Sequence, residues 1–249
     1  MIRVKDVSKN FDEVPVLKNV STSFEQGKTN LIIGQSGSGK TVLMKCLVGL
    51  LDCDSGRIFY DDLEFTGMDF AARQIIRQQI GMLFQGGALF DSLTVEENIM
   101  FPLDMFSNMT REEKRERVNF CLKRVNLENV NHLYPSELSG GMKKRVAIAR
   151  AIANSPNFLF CDEPNSGLDP RTAIIIDNLI SEITKEFNIT TIINTHDMNS
   201  VMEIGDKVSF LFKGELWWEG TREEILYTDN SELNKFVYAT ELMRFLKKS

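Results

Sequence analysis

The chain has 249 residues, a length that one hydrophobic core can still serve, and its 43% apolar and 26% charged residues exclude a disordered or fibrous class. Its formal net charge of -6 excludes general attraction to duplex nucleic acid, since Lys143, Lys144 and Arg145 form too short a run for a basic patch. Cys46, Cys53, Cys121 and Cys161 are scattered, and His132 and His196 are the only histidines, which argues against structural zinc and fits reduced cytosolic thiols.

No stretch approaches the roughly 20 apolar residues of a membrane-spanning helix, and residues 1–6 lack the apolar core of a signal peptide. The chain is therefore expected in the cytosol, reaching a membrane only through a partner.

In chain order, residues 2–7, 16–24 and 30–33 read as short strands, the third ending at a glycine-rich turn that opens a helix to about Leu51. A turn at 52–56 leads into a β segment at 57–60, and the apolar run 81–84 suits a buried strand. From Thr94 the character changes. Thr94 with Glu97 and Thr110 with Glu113 are capping boxes, and the charges of residues 111–117 belong on a solvated helix, so a helical lobe is expected. Residues 158–161 and 190–194 are continuous apolar runs of the parallel-strand type, separated by a helix opening at Pro170. Residues 208–212 and 215–219 suggest a hairpin around Lys213 and Gly214, followed by an amphipathic tail carrying Leu233, Phe236, Val237, Met243 and Leu246. Strand, helix and strand with buried runs imply a parallel sheet with right-handed crossovers.

The segment Gly34-Gln35-Ser36-Gly37-Ser38-Gly39-Lys40-Thr41 matches the phosphate-binding loop pattern between an apolar strand and a helix. Its backbone N–H groups can curl round phosphate oxygens, Lys40 can reach the β and γ oxygens of ATP, and Thr41 offers a hydroxyl to Mg²⁺. Such a loop needs a carboxylate on a neighbouring strand, and the run 158–161 ends in Asp162 and Glu163. Asp162 is the candidate for the Mg²⁺ shell and Glu163 for the general base that polarises the attacking water.

Leu138-Ser139-Gly140-Gly141-Met142, before a helix and about twenty residues ahead of Asp162, resembles the signature of ABC ATPases, with Met142 where the family usually has Gln. Ser139 can cap its helix and, with the N–H groups of Gly140 and Gly141, forms a second anion-binding end. The resemblance implies an α/β P-loop NTPase fold with a RecA-like parallel-sheet core, an N-terminal antiparallel β subdomain and a helical signature subdomain. It also implies one domain over 1–249, with the core at about 1–90 and 155–220, the helical part at about 91–154 and the tail at about 221–249. Further implications are a head-to-tail homodimer around two ATP molecules, and placement on the cytoplasmic face of the cell membrane against an integral permease.

Residue by residue, the resemblance makes Phe11 an adenine-stacking residue with Val16 beside it, with a core residue of the strand pair as the alternative. Gln85 resembles the Q-loop glutamine that touches Mg²⁺ and senses the permease, Asp169 the D-loop aspartate or a plain N-cap before Pro170, and His196 the switch histidine that contacts the γ-phosphate, with Thr195 beside it as a nucleotide contact. Residues 86–103 hold Ala88, Leu89, Phe90, Leu93, Val95, Ile99, Met100 and Phe101, more apolar than a surface loop needs, so Phe90 and Leu93 are expected either as permease anchors or as core of the helical lobe. Residues 84–95, with the Met-ending signature and Lys143-Lys144-Arg145, resemble the ATPase of Mla/Mce-type phospholipid transporters. That implies a lipid-binding Mce-type protein and a small cytosolic accessory subunit as further partners. Other ABC importers or exporters share every catalytic residue, and they stand as the alternative. A chromosomal or ribosomal ABC ATPase would carry tandem cassettes or long coiled-coil insertions, and a GTPase would need an Asp that Asn234-Lys235-Phe236-Val237 lacks.

Overall fold

The computed structural model describes residues 1–238. Its strands are β1 (Ile2–Phe11), β2 (Val14–Phe24), β3 (Thr29–Ile33), β4 (Ser55–Tyr60), β5 (Leu63–Glu64), β6 (Ile80–Leu83), β7 (Phe158–Asp162), β8 (Thr190–Thr195), β9 (Lys207–Phe212) and β10 (Glu215–Gly220). The helices are α1 (Lys40–Leu47), α2 (Phe70–Arg77), α3 (Val95–Phe106), α4 (Arg111–Arg124), α5 (Gly140–Ile152), α6 (Pro170–Glu186), α7 (Met198–Ile204) and α8 (Ser231–Val237). The tail positions Met243 and Leu246 lie outside the described residues.

Two sheets result, an antiparallel one in the order β2-β1-β4-β5 and a mixed one in the order β10-β9-β3-β8-β7-β6. Within the second, β3 pairs in parallel with β8 and β9, and β7 pairs in parallel with β8 and β6. This is an α/β arrangement with an N-terminal antiparallel sheet beside a largely parallel core, as expected from the sequence. Because strand side chains alternate in direction, neighbouring residues enter different cores. Leu31, Ile33, Leu159, Cys161 and Ile193 pack with α3, α4, α5 and α6 on one face, whereas Ile32, Phe158, Phe160 and Ile192 pack with α1 and the antiparallel sheet on the other.

Some boundaries differ from the sequence reading. β1 runs on to Phe11 because Lys9, Asn10 and Phe11 pair with Leu17, Pro15 and Val14 of β2. α1 stops at Leu47, since the N–H groups of Leu50 and Leu51 both turn back to the Lys45 carbonyl. α2, capped by the Asp69 carboxylate accepting from the Ala72 N–H, has no counterpart in that reading; it spans only eight residues, and of these Ile76 alone is buried. Both expected capping boxes form, at Thr94 of α3 and Thr110 of α4.

Candidate functional site

The glycine-rich loop leaves the end of β3 and enters α1 at Lys40. Gly34 sits at φ +150°, and a Cβ there would meet the Leu211 carbonyl oxygen at 2.2 Å. Gly37, at φ +79°, has nothing within 4 Å of a Cβ, so the loop is crowded on its inner side and open on its outer one. Ser38 Oγ is buried without a partner. The Lys40 ammonium folds back over the loop and donates to the carbonyls of Gly34 at 2.7 Å and Gln35 at 3.1 Å. Burial pulls its pKa below the usual lysine value, while Glu163 and Asp162 oppose that pull. An open cradle of backbone under a fixed cation is a phosphate site in form.

Opposite it, β7 ends in Asp162, whose two carboxylate oxygens each stand 3.4 Å from Thr41 Oγ1. Asn194 orients that carboxylate by donating to Oδ1 at 3.1 Å. A hydroxyl and a carboxylate facing each other across a short gap are hard oxygen donors, which suits Mg²⁺. Among the described residues no cluster of three or more His, Cys, Asp or Glu could hold a metal alone, so a cation at Thr41 and Asp162 would take the rest of its shell from water or phosphate oxygens.

Glu163 follows at φ +49°, a left-handed conformation uncommon outside glycine, and its N–H is held by the Asn194 carbonyl at 3.0 Å. The strained backbone turns the carboxylate toward His196, whose Nδ1 lies 2.8 Å from Glu163 Oε1, and leaves Oε2 buried without a partner. Gln85 is exposed just past β6, with Nε2 3.4 Å from Ser166 Oγ. A cleft of about 270 Å³ is lined by Val16, Ser36, Gly37, Gly39, Lys40, Thr41, Gln85, Asp162, Glu163 and His196.

Several expected positions lie outside the lining of this cleft. Phe11 is 44% exposed with the Lys9 ammonium 5.8 Å from its ring centroid, so it is no core residue, and it does not line the cleft. Thr195 is fully buried with its hydroxyl accepting from the Asp197 N–H, and it too stays out of the cleft. Ser139 and Gly140 are exposed at the start of α5, and Ser139 Oγ accepts from the Met142 N–H at 3.3 Å. That helix end is not part of the cleft lining of its own chain. Met142 is half-buried and packs against the core of the helical lobe. Asp169 caps α6 by accepting from the N–H groups of Arg171 and Thr172, and these bonds with the Thr172 hydroxyl hold its carboxyl below the usual range.

Phe90 and Leu93 part company. Phe90 is exposed and stacks obliquely on Phe101, with centroids 4.9 Å apart, at a hollow of about 370 Å³ also lined by Met82, Phe84, Pro102 and Phe106. Leu93 is half-buried outside that hollow, and Val95 and Ile99 are fully buried in the lobe.

Behind the cleft, the sequence reading missed a buried polar bridge. Asn165, between β7 and α6, donates to Ser200 Oγ of α7 at 2.8 Å and to Asp177 Oδ2 of α6 at 3.3 Å. Burial pushes the Asp177 carboxyl up to about 6. A raised folded-state value means that ionisation opposes folding, and the penalty develops between pH about 4 and 6 and persists above. Asp177→Asn is therefore expected to stabilise the protein at pH 8 by up to about 3 kcal/mol and to be neutral near pH 4. Thermal melts of both proteins across that range check it, and an equal difference at every pH would refute the assignment.

The geometry has counterparts. Residues 17–166 match the profile of the ABC transporter family. The chain belongs to that family. Over 246 residues it is 37% identical to the methionine import ATP-binding protein MetN of Clostridium tetani, covering 98% of this chain and 76% of that relative. It superposes on the dimeric structure of MJ0796, a bacterial ABC transporter cassette, with TM-score 0.82 at 33% identity, covering 89% of this chain and 99% of the other. A post-hydrolysis dimer of the same cassette bound to ADP and phosphate matches with TM-score 0.80 at 34% identity over the same shares. The chain is thus an ABC transporter ATPase, and it hydrolyses ATP.

Proposed function

We propose that this ABC ATPase pairs head-to-tail with a second copy around two Mg-ATP and drives a separate membrane permease from the cytoplasmic face. The observation that carries this reading is the split between two anion-binding ends. Lys40, Thr41, Asp162 and Glu163 share one cleft, while the exposed Ser139 and Gly140 end of α5 stays outside it. A second copy brings its own Ser139 end to the γ-phosphate. In this arrangement the loop amides and Lys40 bind the phosphates, and Thr41, Asp162 and Gln85 would hold a Mg²⁺ that would supply charge neutralisation to the transferring phosphoryl group. Glu163 then acts as the general base toward the attacking water, and His196 steadies its Oε1 and the γ-phosphate. Phe11 and Val16 flank the base, and Asp169 meets the partner copy across the seam.

For the cargo, the reading is an importer of a small amino acid such as methionine. It is supported by a relative of that name over nearly the whole chain. The sequence resemblance to phospholipid transporters, with its Mce-type and accessory partners, finds no support in the relatives named above and stands second on the strength of residues 84–95 alone. Uptake of labelled methionine into proteoliposomes holding the ATPase with its co-purified permease separates the two. ATP-dependent uptake is expected, whereas no uptake together with tightly bound phospholipid in the purified complex would overturn the importer reading.

The Phe90 hollow is the docking place for the permease in this scheme, an apolar groove for a short helix. Phe90→Asp is expected to leave the melting temperature within a few degrees and ATP affinity normal, because the ring is already 42% exposed, but to abolish co-purification with the permease. Retained co-purification would move the docking site elsewhere.

A further inference from the structure

The helix that starts at Ser139 carries two cations toward the Gln85 loop. The Lys144 ammonium, only 6% exposed, donates to the backbone carbonyl of Gln85. One turn and a half further on, Arg150 donates to the carbonyls of Gly87 and Ala88, both at 2.7 Å. Ala88 is held at φ +48°, a strained conformation for alanine that the guanidinium fixes in place. Among the described residues neither cation forms a salt bridge, so both charges are spent on backbone carbonyls of one loop. Burial lowers the pKa of each, as expected for cations taken out of water. Burying a cation is costly unless its bonds are strong, and charge-assisted bonds to carbonyls in such surroundings are. Packing alone would be served as well by a methionine at position 144.

The loop so held carries Gln85 into one cleft, while the other end of the same helix presents Ser139 to another. We propose that Lys144 and Arg150 are positioning residues that fasten the Gln85 loop to the signature helix, so that capture of Ser139 by the second copy's nucleotide restrains Gln85 in the first copy's own cleft. The inference rests on the head-to-tail reading proposed above. It gives the two ATP sites a physical connection through α5, with the Arg150 guanidinium also 5.9 Å from the Phe90 ring at the permease hollow.

Amide hydrogen exchange of the full chain tests this, in a Glu163→Gln background that retains ATP. With Mg-ATP at dimer-forming concentration, exchange of residues 86–90 is expected to slow about tenfold or more. Adding Lys144→Met should leave those amides within about twofold of their nucleotide-free rate. The ATP protection of residues 37–41 and the ATP-dependent dimer on sizing should both remain, and Lys144→Arg should restore the slowing. Equal slowing in Lys144→Met overturns the inference. Absent protection of residues 37–41 would instead refute the nucleotide site, and protection without a dimer would refute the head-to-tail arrangement and the inference with it. If Lys144→Met does not fold, Arg150→Lys, which keeps the cation and loses one of two bonds, reads the same amides.

Discussion

Glu163→Gln is expected to bind ATP normally and to lose about 10²- to 10⁴-fold in steady-state turnover. The substitution conserves size and leaves an oxygen to accept from His196 Nδ1, now 2.8 Å from Glu163 Oε1. It removes the basic lone pair of Oε2, which is buried and without a partner. With hydrolysis slowed and binding intact, the ATP-bound dimer should accumulate and elute earlier on sizing. Lys40→Ala provides the contrast: it takes away the ammonium above the loop, so affinity should fall before turnover is measured. A Glu163→Gln protein with normal turnover would remove Glu163 from the role of base.

Ser139→Arg carries the second large effect. The residue is exposed, and its one hydrogen bond caps α5, so its loss costs about 1 kcal/mol and the protein should still fold. At a dimer seam, however, a bulky side chain at that position keeps the helix end from the other copy's γ-phosphate. The expected result is undiminished ATP binding by the single chain, with ATP-induced dimerisation abolished and turnover reduced to the background of the monomer. Equilibrium ATP binding and sizing on the same samples separate this from misfolding. A dimer that forms normally would show that Ser139 does not sit at the seam.

How much of this was legible beforehand depends on the range over which each signal acts. The loop at 34–41, the acid pair after β7 and the two capping boxes are local patterns whose chemistry is written within eight residues, and the sequence names them without help from the fold. Positions that depend on distant backbone were not legible. Phe11 reads as core or as a ligand contact, because nothing in its neighbours says that the β1–β2 turn projects into solvent. Leu93 and Phe90 look alike in sequence, and only the packing of α3 turns Phe90 outward and Leu93 partly in. In sequence, Lys144 reads as one member of a short charge run. A helical-period signal was there to find it: Lys144, Ala147, Ile148 and Ala151 recur at three- and four-residue steps and are all buried. Asp177 interrupts a similar stripe through Ile176, Ile180 and Ile183 on α6. A charged residue inside an apolar stripe is thus the sequence mark of both buried polar positions found here.

The alternation along β7 has a consequence for how this protein can change. Leu159 and Cys161 fill one core while Phe158 and Phe160 fill the other, and the same strand delivers Asp162 to the cleft. Exchanging one apolar residue for another disturbs a single core by a few methyl groups. Deleting one residue inverts the strand, sends large rings where small side chains belong, and turns Asp162 away from Thr41. An apolar exchange within residues 158–161 is therefore a smaller disturbance than any change in their number, because two cores and the Asp162–Thr41 contact fix the register at once.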